Sequence, residues 1–164
     1  MNRRLFFWNL LFFTKGYFYL LTTTLPNIFP VNKRILTILL VDDDADDIEV
    51  FNDALKQIDN SITLITAHNG QDALQILASD IFEKPDHIFL DINMPMMNGL
   101  DCLERIRNQE KLNIPVTIYS TSRNYIEYNR SLQLGADFLQ KPHDYTNLIR
   151  VLREKIQTLR PSGT

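Results

Sequence analysis

The sequence predicts an α/β fold: a doubly wound, five-stranded parallel sheet with five helices. Three observations carry that expectation. Short apolar runs alternate with longer stretches of helical periodicity along most of the chain. Strands separated by helices imply parallel pairing through right-handed crossovers, with helices covering both faces. The turn-forming residues Asn69-Gly70, Asn98-Gly99 and Gly135 fall at the junctions between these segments.

The elements follow in order. The run Ile35-Leu36-Thr37-Ile38-Leu39-Leu40-Val41 is a buried strand over 35–41, and the acidic stretch from Asp42 leads into a helix over 45–58. Aspartates suit that start, because they cap the first free N–H groups and complement the helix dipole. A second strand over 62–66 precedes Asn69-Gly70, which opens a helix over 70–79. His87-Ile88-Phe89-Leu90 forms a strand over 87–90 that ends at Asp91, and Asn98-Gly99 opens a helix over 99–108. In that helix Cys102 reads as a buried residue. A fourth strand over 115–120 ends at Ser120, Thr121 and Ser122, and a helix over 123–134 closes on Gly135 as a left-handed C-cap. The last strand, 137–140, ends at Lys141-Pro142. The final helix, 144–159, carries Leu148, Val151, Leu152, Ile156 and Leu159 at helical spacing, an apolar face read as core.

Composition fits one globular domain. The chain has 164 residues, 45% hydrophobic and 23% charged, enough for a substantial core. The formal charge of −3 hides an asymmetry: every acidic residue lies beyond Val41, so the remainder carries about −8. So acidic a body argues against nucleic-acid binding, which needs a basic face. A single cysteine excludes an internal disulfide framework and suits a reducing, cytoplasmic setting.

The strand ends hold the chemistry. In an open α/β sheet, ligands bind in the crevice outside the carboxyl ends of the strands. Asp42 and Asp43 follow one strand and Asp91 another, so their carboxylates can converge. Carboxylates brought that close either share protons or hold a hard cation. Magnesium takes one or two protein carboxylates and leaves its other positions to water and phosphate oxygens. The Ser120 hydroxyl and the Lys141 ammonium, on two further strand ends, can donate to a phosphoryl group.

With that order in place the chain resembles a known family, the receiver domains of bacterial two-component response regulators. The resemblance rests on Val41-Asp42-Asp43, on Asp91-Ile92-Asn93-Met94-Pro95 with Asn98-Gly99, on Pro115-Val116 leading to Ser120, and on Gly135-Ala136-Asp137-Phe138 leading to Lys141-Pro142. It implies the flavodoxin-like receiver fold with strand order 2-1-3-4-5. It also implies that Asp91 accepts a phosphoryl group from a sensor histidine kinase or a histidine phosphotransfer protein. Magnesium would be held by Asp42, Asp43, Asp91 and the backbone carbonyl of Asn93. Ser120 and Lys141 would bind the phosphoryl oxygens, and Phe138 would occupy the aromatic switch position. The expected output is a protein contact on the face of the fourth helix, fifth strand and fifth helix, as in chemotaxis-regulator-like single-domain receivers, and the chain is expected to be a switch rather than an enzyme.

Taken singly, each residue has an ordinary explanation. An aspartate run is commonly a solvated helix start, Asp91 a turn residue, Ser120 a strand-end hydroxyl, Lys141 a surface cation and Phe138 a core ring. Their joint placement on successive strand ends outweighs those explanations. Some positions depart from the commonest family pattern: Ser120 stands where threonine is frequent, Thr121 where alanine is common, and Phe138 lacks a tyrosine hydroxyl. Asn93 and Ser122 occupy positions that tune the phosphorylated lifetime in the family. Two rivals are a degenerate receiver that only binds proteins and a magnesium-dependent phosphatase of the haloacid dehalogenase type. The latter wants a second acid where Asn93 stands. No glycine-rich phosphate loop supports a nucleotide-binding reading.

The domain division expected is an extension over 1–32, the receiver over 33–159 and a tail over 160–164. The extension is basic at Arg3-Arg4 and apolar over Leu5–Phe13 and Gly16–Leu21, interrupted by Thr14-Lys15. Three explanations compete for it: a start assigned upstream of the true one, a membrane-associated or amphipathic segment, and a signal peptide. On this division neither the extension nor the tail is expected to hold an output domain.

Overall fold

The computed structural model describes residues 35–79, 83–108 and 112–160. The expectations for the extension over 1–32, and for the tail beyond Arg160, lie outside the described residues. The elements run β1 (Thr37–Val41), α1 (Ala45–Ile58), β2 (Thr63–Ala67), α2 (Gly70–Ala78), β3 (His87–Leu90), α3 (Gly99–Asn108), β4 (Val116–Ser120), α4 (Tyr125–Gln133), β5 (Asp137–Gln140) and α5 (Tyr145–Leu159). The strands form one parallel sheet in the order β2-β1-β3-β4-β5.

Differences from the expected bounds have local causes. The last two helices begin later because Asn124 and Asp144 stand outside them as N-caps, accepting from the Ile126 and Asn147 amides. Asp44 caps α1 through the Asp46 and Asp47 amides, and Asn69 caps α2 through those of Gln71 and Asp72. Gly135 has the left-handed φ of 69° expected of the residue that ends α4.

Alternation along the strands splits the core into two layers. Leu39, Val41, Ile88, Leu90, Val116 and Ile118 pack with Ala73 and Leu77 of α2 and Leu100, Leu103 and Ile106 of α3. Ile38, Leu40, Phe89 and Tyr119 point the other way, toward Phe51, Ala54 and Leu55 of α1 and Leu148, Leu152 and Ile156 of α5. The apolar face expected of the last helix is therefore core. Phe51 meets Phe89 and Tyr119 edge-on at 5.1 and 5.4 Å, and each such fully buried side chain contributes about 1.5–3 kcal/mol. Cys102 is fully buried, and burial pushes its thiol up to about 12. Both layers bring β1, β3, β4 and β5 into a register in which Val41, Leu90 and Ile118 stand side by side. Their C-terminal ends therefore open on one rim.

Candidate functional site

The residues just past that rim are fixed by continuing the sheet's ladder. The Asp42 amide donates to Ala67 O at 3.0 Å, the Asp91 amide to Val41 O at 2.9 Å and the Lys141 amide to Ser120 O at 2.9 Å. Each backbone is thus held as firmly as a strand residue while its side chain is released into the crevice. Asp42, Asp43 and Asp91 converge there, with one carboxylate oxygen from each lying within 4.8 Å of the other two. Asp42 and Asp91 are nearly closed off, at 1% and 6% exposed, whereas Asp43 is open to solvent.

Lys141 closes the acidic cup. Its Nζ donates to Asp42 Oδ2 and to Asp47 Oδ2, both at 2.7 Å, and stands 3.9 Å from Asp91 Oδ2. The ammonium also lies 5.5 Å from the centroid of the Tyr119 ring, a favourable placement for a cation. Burial lowers the pKa of Lys141, but the hydrogen bonds to Asp42 and Asp47 and the charges of Asp91 and Asp42 outweigh that effect and push it up. Burial pushes Asp42 up, and Lys141 opposes that shift. The ammonium therefore stays charged, which keeps the buried carboxylate compensated.

The loop beneath Asp91 depends on one glycine. A Cβ on Gly99 would stand 1.9 Å from the Asp91 carbonyl oxygen, while the Gly99 amide donates to Ile92 O at 2.9 Å. Only a residue without a side chain lets the start of α3 press against the backbone of Asp91. Met96, in the same loop, has a left-handed φ of 62°, an uncommon conformation for a side-chain-bearing residue. Asn93 is exposed in this loop and lines an open cleft with Ile92, Asn124, Ile126, Glu127 and Arg130.

Ser120 ends β4 fully buried, its Oγ accepting from the Ser122 amide at 3.4 Å. Ser122 Oγ donates in turn to Glu127 of α4 and accepts from the Asn124 amide at 3.1 Å. Phe138 is half-buried, packed against the α2–α3 side of the core and edge-on to Tyr128 of α4 at 5.3 Å. Tyr125 and Ile126 project from α4 largely exposed.

Residues 38–153 match the family described as response regulator receiver domain. The chain belongs to that family. Among curated relatives, this receiver is 35% identical over 128 residues to a protein-glutamate methylesterase/protein-glutamine glutaminase of Clostridium acetobutylicum, covering 76% of this chain and 36% of that protein. It is 32% identical over 117 residues to the transcriptional regulatory protein CpxR of Escherichia coli, covering 71% of this chain and 47% of that protein. The chain thus spans between about a third and a half of the length of these relatives. Among solved structures it is similar to the phosphorylated cyanobacterial phytochrome response regulator RcpA, with TM-score 0.71 and 25% identity, covering 79% of this chain and 97% of that one. The Mn(2+)-bound form of response regulator Rcp1 gives TM-score 0.69 and 26% identity over 79% of this chain and 97% of that one.

The donor set of this receiver fits the hard divalent cation typical of the family. It offers only oxygens, from the convergent carboxylates of Asp42, Asp43 and Asp91, one of them exposed enough to remain wet. Sequence reasoning missed Asp47, whose side chain holds Lys141, and Tyr119, which lies beneath the ammonium. Asp47 was visible only as one of several acids in a run. Its position in the first turn of α1 put it within reach of the end of β5, but nothing in the pattern distinguished it from Asp46.

Proposed function

We propose that this receiver is a phosphorylation-dependent switch whose acceptor is Asp91. The observation that carries the reading is the placement of Asp91 within 4.8 Å of the oxygens of Asp42 and Asp43 and 3.9 Å from the Lys141 ammonium. A carboxylate so placed is a weak nucleophile facing an anionic group, and phosphoryl transfer is accelerated chiefly by positioning and by compensating charge. An Asp91 oxygen attacks phosphorus, forming an acyl phosphate, as the bond from phosphorus to the donor's imidazole nitrogen breaks and that nitrogen keeps the electron pair. The donor is a phosphohistidine on a sensor kinase or on a histidine phosphotransfer protein.

Asp42, Asp43, Asp91 and the Asn93 backbone carbonyl are the residues that would hold magnesium, and the manganese in the similar Rcp1 structure supports a divalent site. When bound, the ion supplies positive charge against the incoming phosphoryl oxygens. Lys141 offers its ammonium to the same oxygens. Ser120 reaches them by giving up the Ser122 amide, and that chain of contacts continues through Ser122 to Glu127 on α4. Movement of Ser120 would therefore be felt at α4, where Phe138 packs on Tyr128. A rotation of Phe138 would remake the face of α4, β5 and α5, where a downstream protein docks in the cytoplasm. Differential contacts to the phosphoryl group drive the shift between the two states.

Intact mass after treatment with acetyl phosphate tests the reading. One phosphoryl adduct is expected with magnesium, none with excess chelator and none for Asp91→Asn with its fold intact. A folded wild-type chain that takes no adduct in magnesium would leave a binding module that is not switched by phosphate.

A further inference from the structure

Lys141 does not reach Asp91 by itself. A lysine side chain is a flexible four-carbon stem with many rotamers, and a single hydrogen bond to Asp42 would leave the ammonium free to swivel about that contact. Asp47 removes the freedom. It reaches Nζ from the first turn of α1, at 2.7 Å, while Asp42 holds the same nitrogen from the end of β1 at 2.7 Å. The first turn is itself anchored, since Asp44 Oδ1 accepts from the Asp46 amide at 2.9 Å and the Asp47 amide at 3.4 Å. An ammonium has three N–H donors. With two engaged, the third remains for the acceptor side, where Asp91 Oδ2 stands at 3.9 Å, too far for a hydrogen bond. A phosphoryl group on Asp91 extends toward Lys141 through its P–O bonds and closes that gap.

We propose that Asp47 is a positioning residue for phosphoryl transfer, holding Lys141 so that its remaining N–H faces the group arriving on Asp91. The inference rests on Asp91 being the acceptor. Asp47 touches neither the acceptor nor the phosphoryl group, and its side chain is 46% exposed. Its effect is therefore expected on the chemical step rather than on the fold.

Removing a negative charge near the cup should by itself speed reaction with an anionic phosphodonor, whereas loosening Lys141 should slow it, so the sign of the effect decides between them. Asp46 is the control: it is an exposed neighbour on the same turn, capped by the same Asp44, with no contact to Lys141 among the described residues.

The test is the rate of acetyl phosphate labelling of the full chain, followed by intact mass in magnesium over a range of donor concentrations. In this reaction an Asp91 oxygen bonds to phosphorus while the bond between phosphorus and the acetyl oxygen breaks, its electron pair leaving on acetate. Asp47→Ala is expected to lower the maximal rate about tenfold, within the range that misplacing a catalytic group costs, with the half-saturating concentration unchanged. Asp47→Asn keeps an oxygen that can accept from the ammonium, so it should recover most of the rate. Asp46→Asn should label as fast as wild type or faster.

An Asp47→Ala rate equal to or above wild type, or an equal slowing in Asp46→Asn, would overturn the proposal. Should Asp47→Ala not fold, Asp47→Glu serves in its place: displacing the carboxylate should lower the maximal rate, and a wild-type rate overturns the proposal. Absence of any adduct on the wild-type chain instead counts against Asp91 as acceptor, so the two failures are distinct.

Discussion

Two ends of the same sheet bury ionisable groups and treat them in opposite ways. At the C-terminal rim, Asp42 and Lys141 are both buried and remain a charged pair, because each supplies the other's counter-charge at 2.7 Å. Toward the opposite end, His87 opens β3 fully buried beneath the α1–α5 layer. Its Nε2 pairs with Thr117 Oγ1 at 2.8 Å, and its Nδ1 has no hydrogen-bond partner among the described residues. Burial, reinforced by the charge of Lys155 and opposed by that of Asp137, pushes its pKa down to about 4. The rim keeps its charges by pairing them; at His87, where pairing is incomplete, the charge is given up. Burial alone therefore favours the neutral form of a group, and a specific arrangement of partners preserves the charge.

The contrast breaks most sharply if the rim loses its counter-charge. Lys141→Met should destabilise the fold by about 4 kcal/mol in chelator, measured by urea unfolding, because it leaves the buried Asp42 carboxylate unpaired. A loss no larger than that of a surface substitution would mean the cup is solvated enough to dispense with its lysine.

At the other end the effect appears through pH. The folded-state value of His87, about 4, lies below the unfolded value near 6.5, so the folded protein binds fewer protons in between. Its contribution is fully present above pH 6.5 and is lost as pH falls toward 4, amounting to about 3 kcal/mol. The difference in unfolding free energy between wild type and His87→Gln should shrink by that amount across this window. A difference that stays constant from pH 7 to 4 would show that His87 is not held neutral.

The smallest effect should come where neither burial nor isolation operates. Arg130 on α4 meets Asp101 at 3.2 Å and Glu104 at 2.7 Å on α3, all three side chains being 43–52% exposed. Arg130→Ala should cost about 0.5 kcal/mol at low salt and less at high salt, again by urea unfolding. A loss comparable with that of Lys141→Met would mean that exposed pairs matter here as much as buried ones.

The sheet was legible because its signals are local. Short continuous apolar runs along β1 and β3, a helical period along α5 and caps such as Asn69 can all be read within a few residues of chain. The carboxylate cluster was legible for a related reason: strand ends of a parallel sheet share a rim, so Asp42, Asp43 and Asp91 had to approach one another wherever the strand order placed them as neighbours. Contacts between side chains distant in sequence had no such signature. Asp47 meets Lys141 across 94 positions, and Arg107 donates to the Leu112, Ile114 and Leu134 carbonyls, tying α3 to the end of α4. Such long side chains take their direction from the assembled surroundings, which no local pattern encodes. The need for Gly99 was visible as a motif, but its cause, the closeness of the Asp91 carbonyl, belongs to the folded backbone.

Cys102 offers a practical return. It is the chain's one cysteine, and its thiol is closed off from water and held at about 12, far from the thiolate form that alkylating reagents attack. The native chain is therefore expected to resist maleimides at neutral pH, which intact mass after labelling would check. A cysteine introduced at Tyr125, on the open side of α4, would become a unique attachment point for a fluorophore or spin label. Motion of α4 relative to the sheet could then be followed spectroscopically without first engineering away a competing thiol.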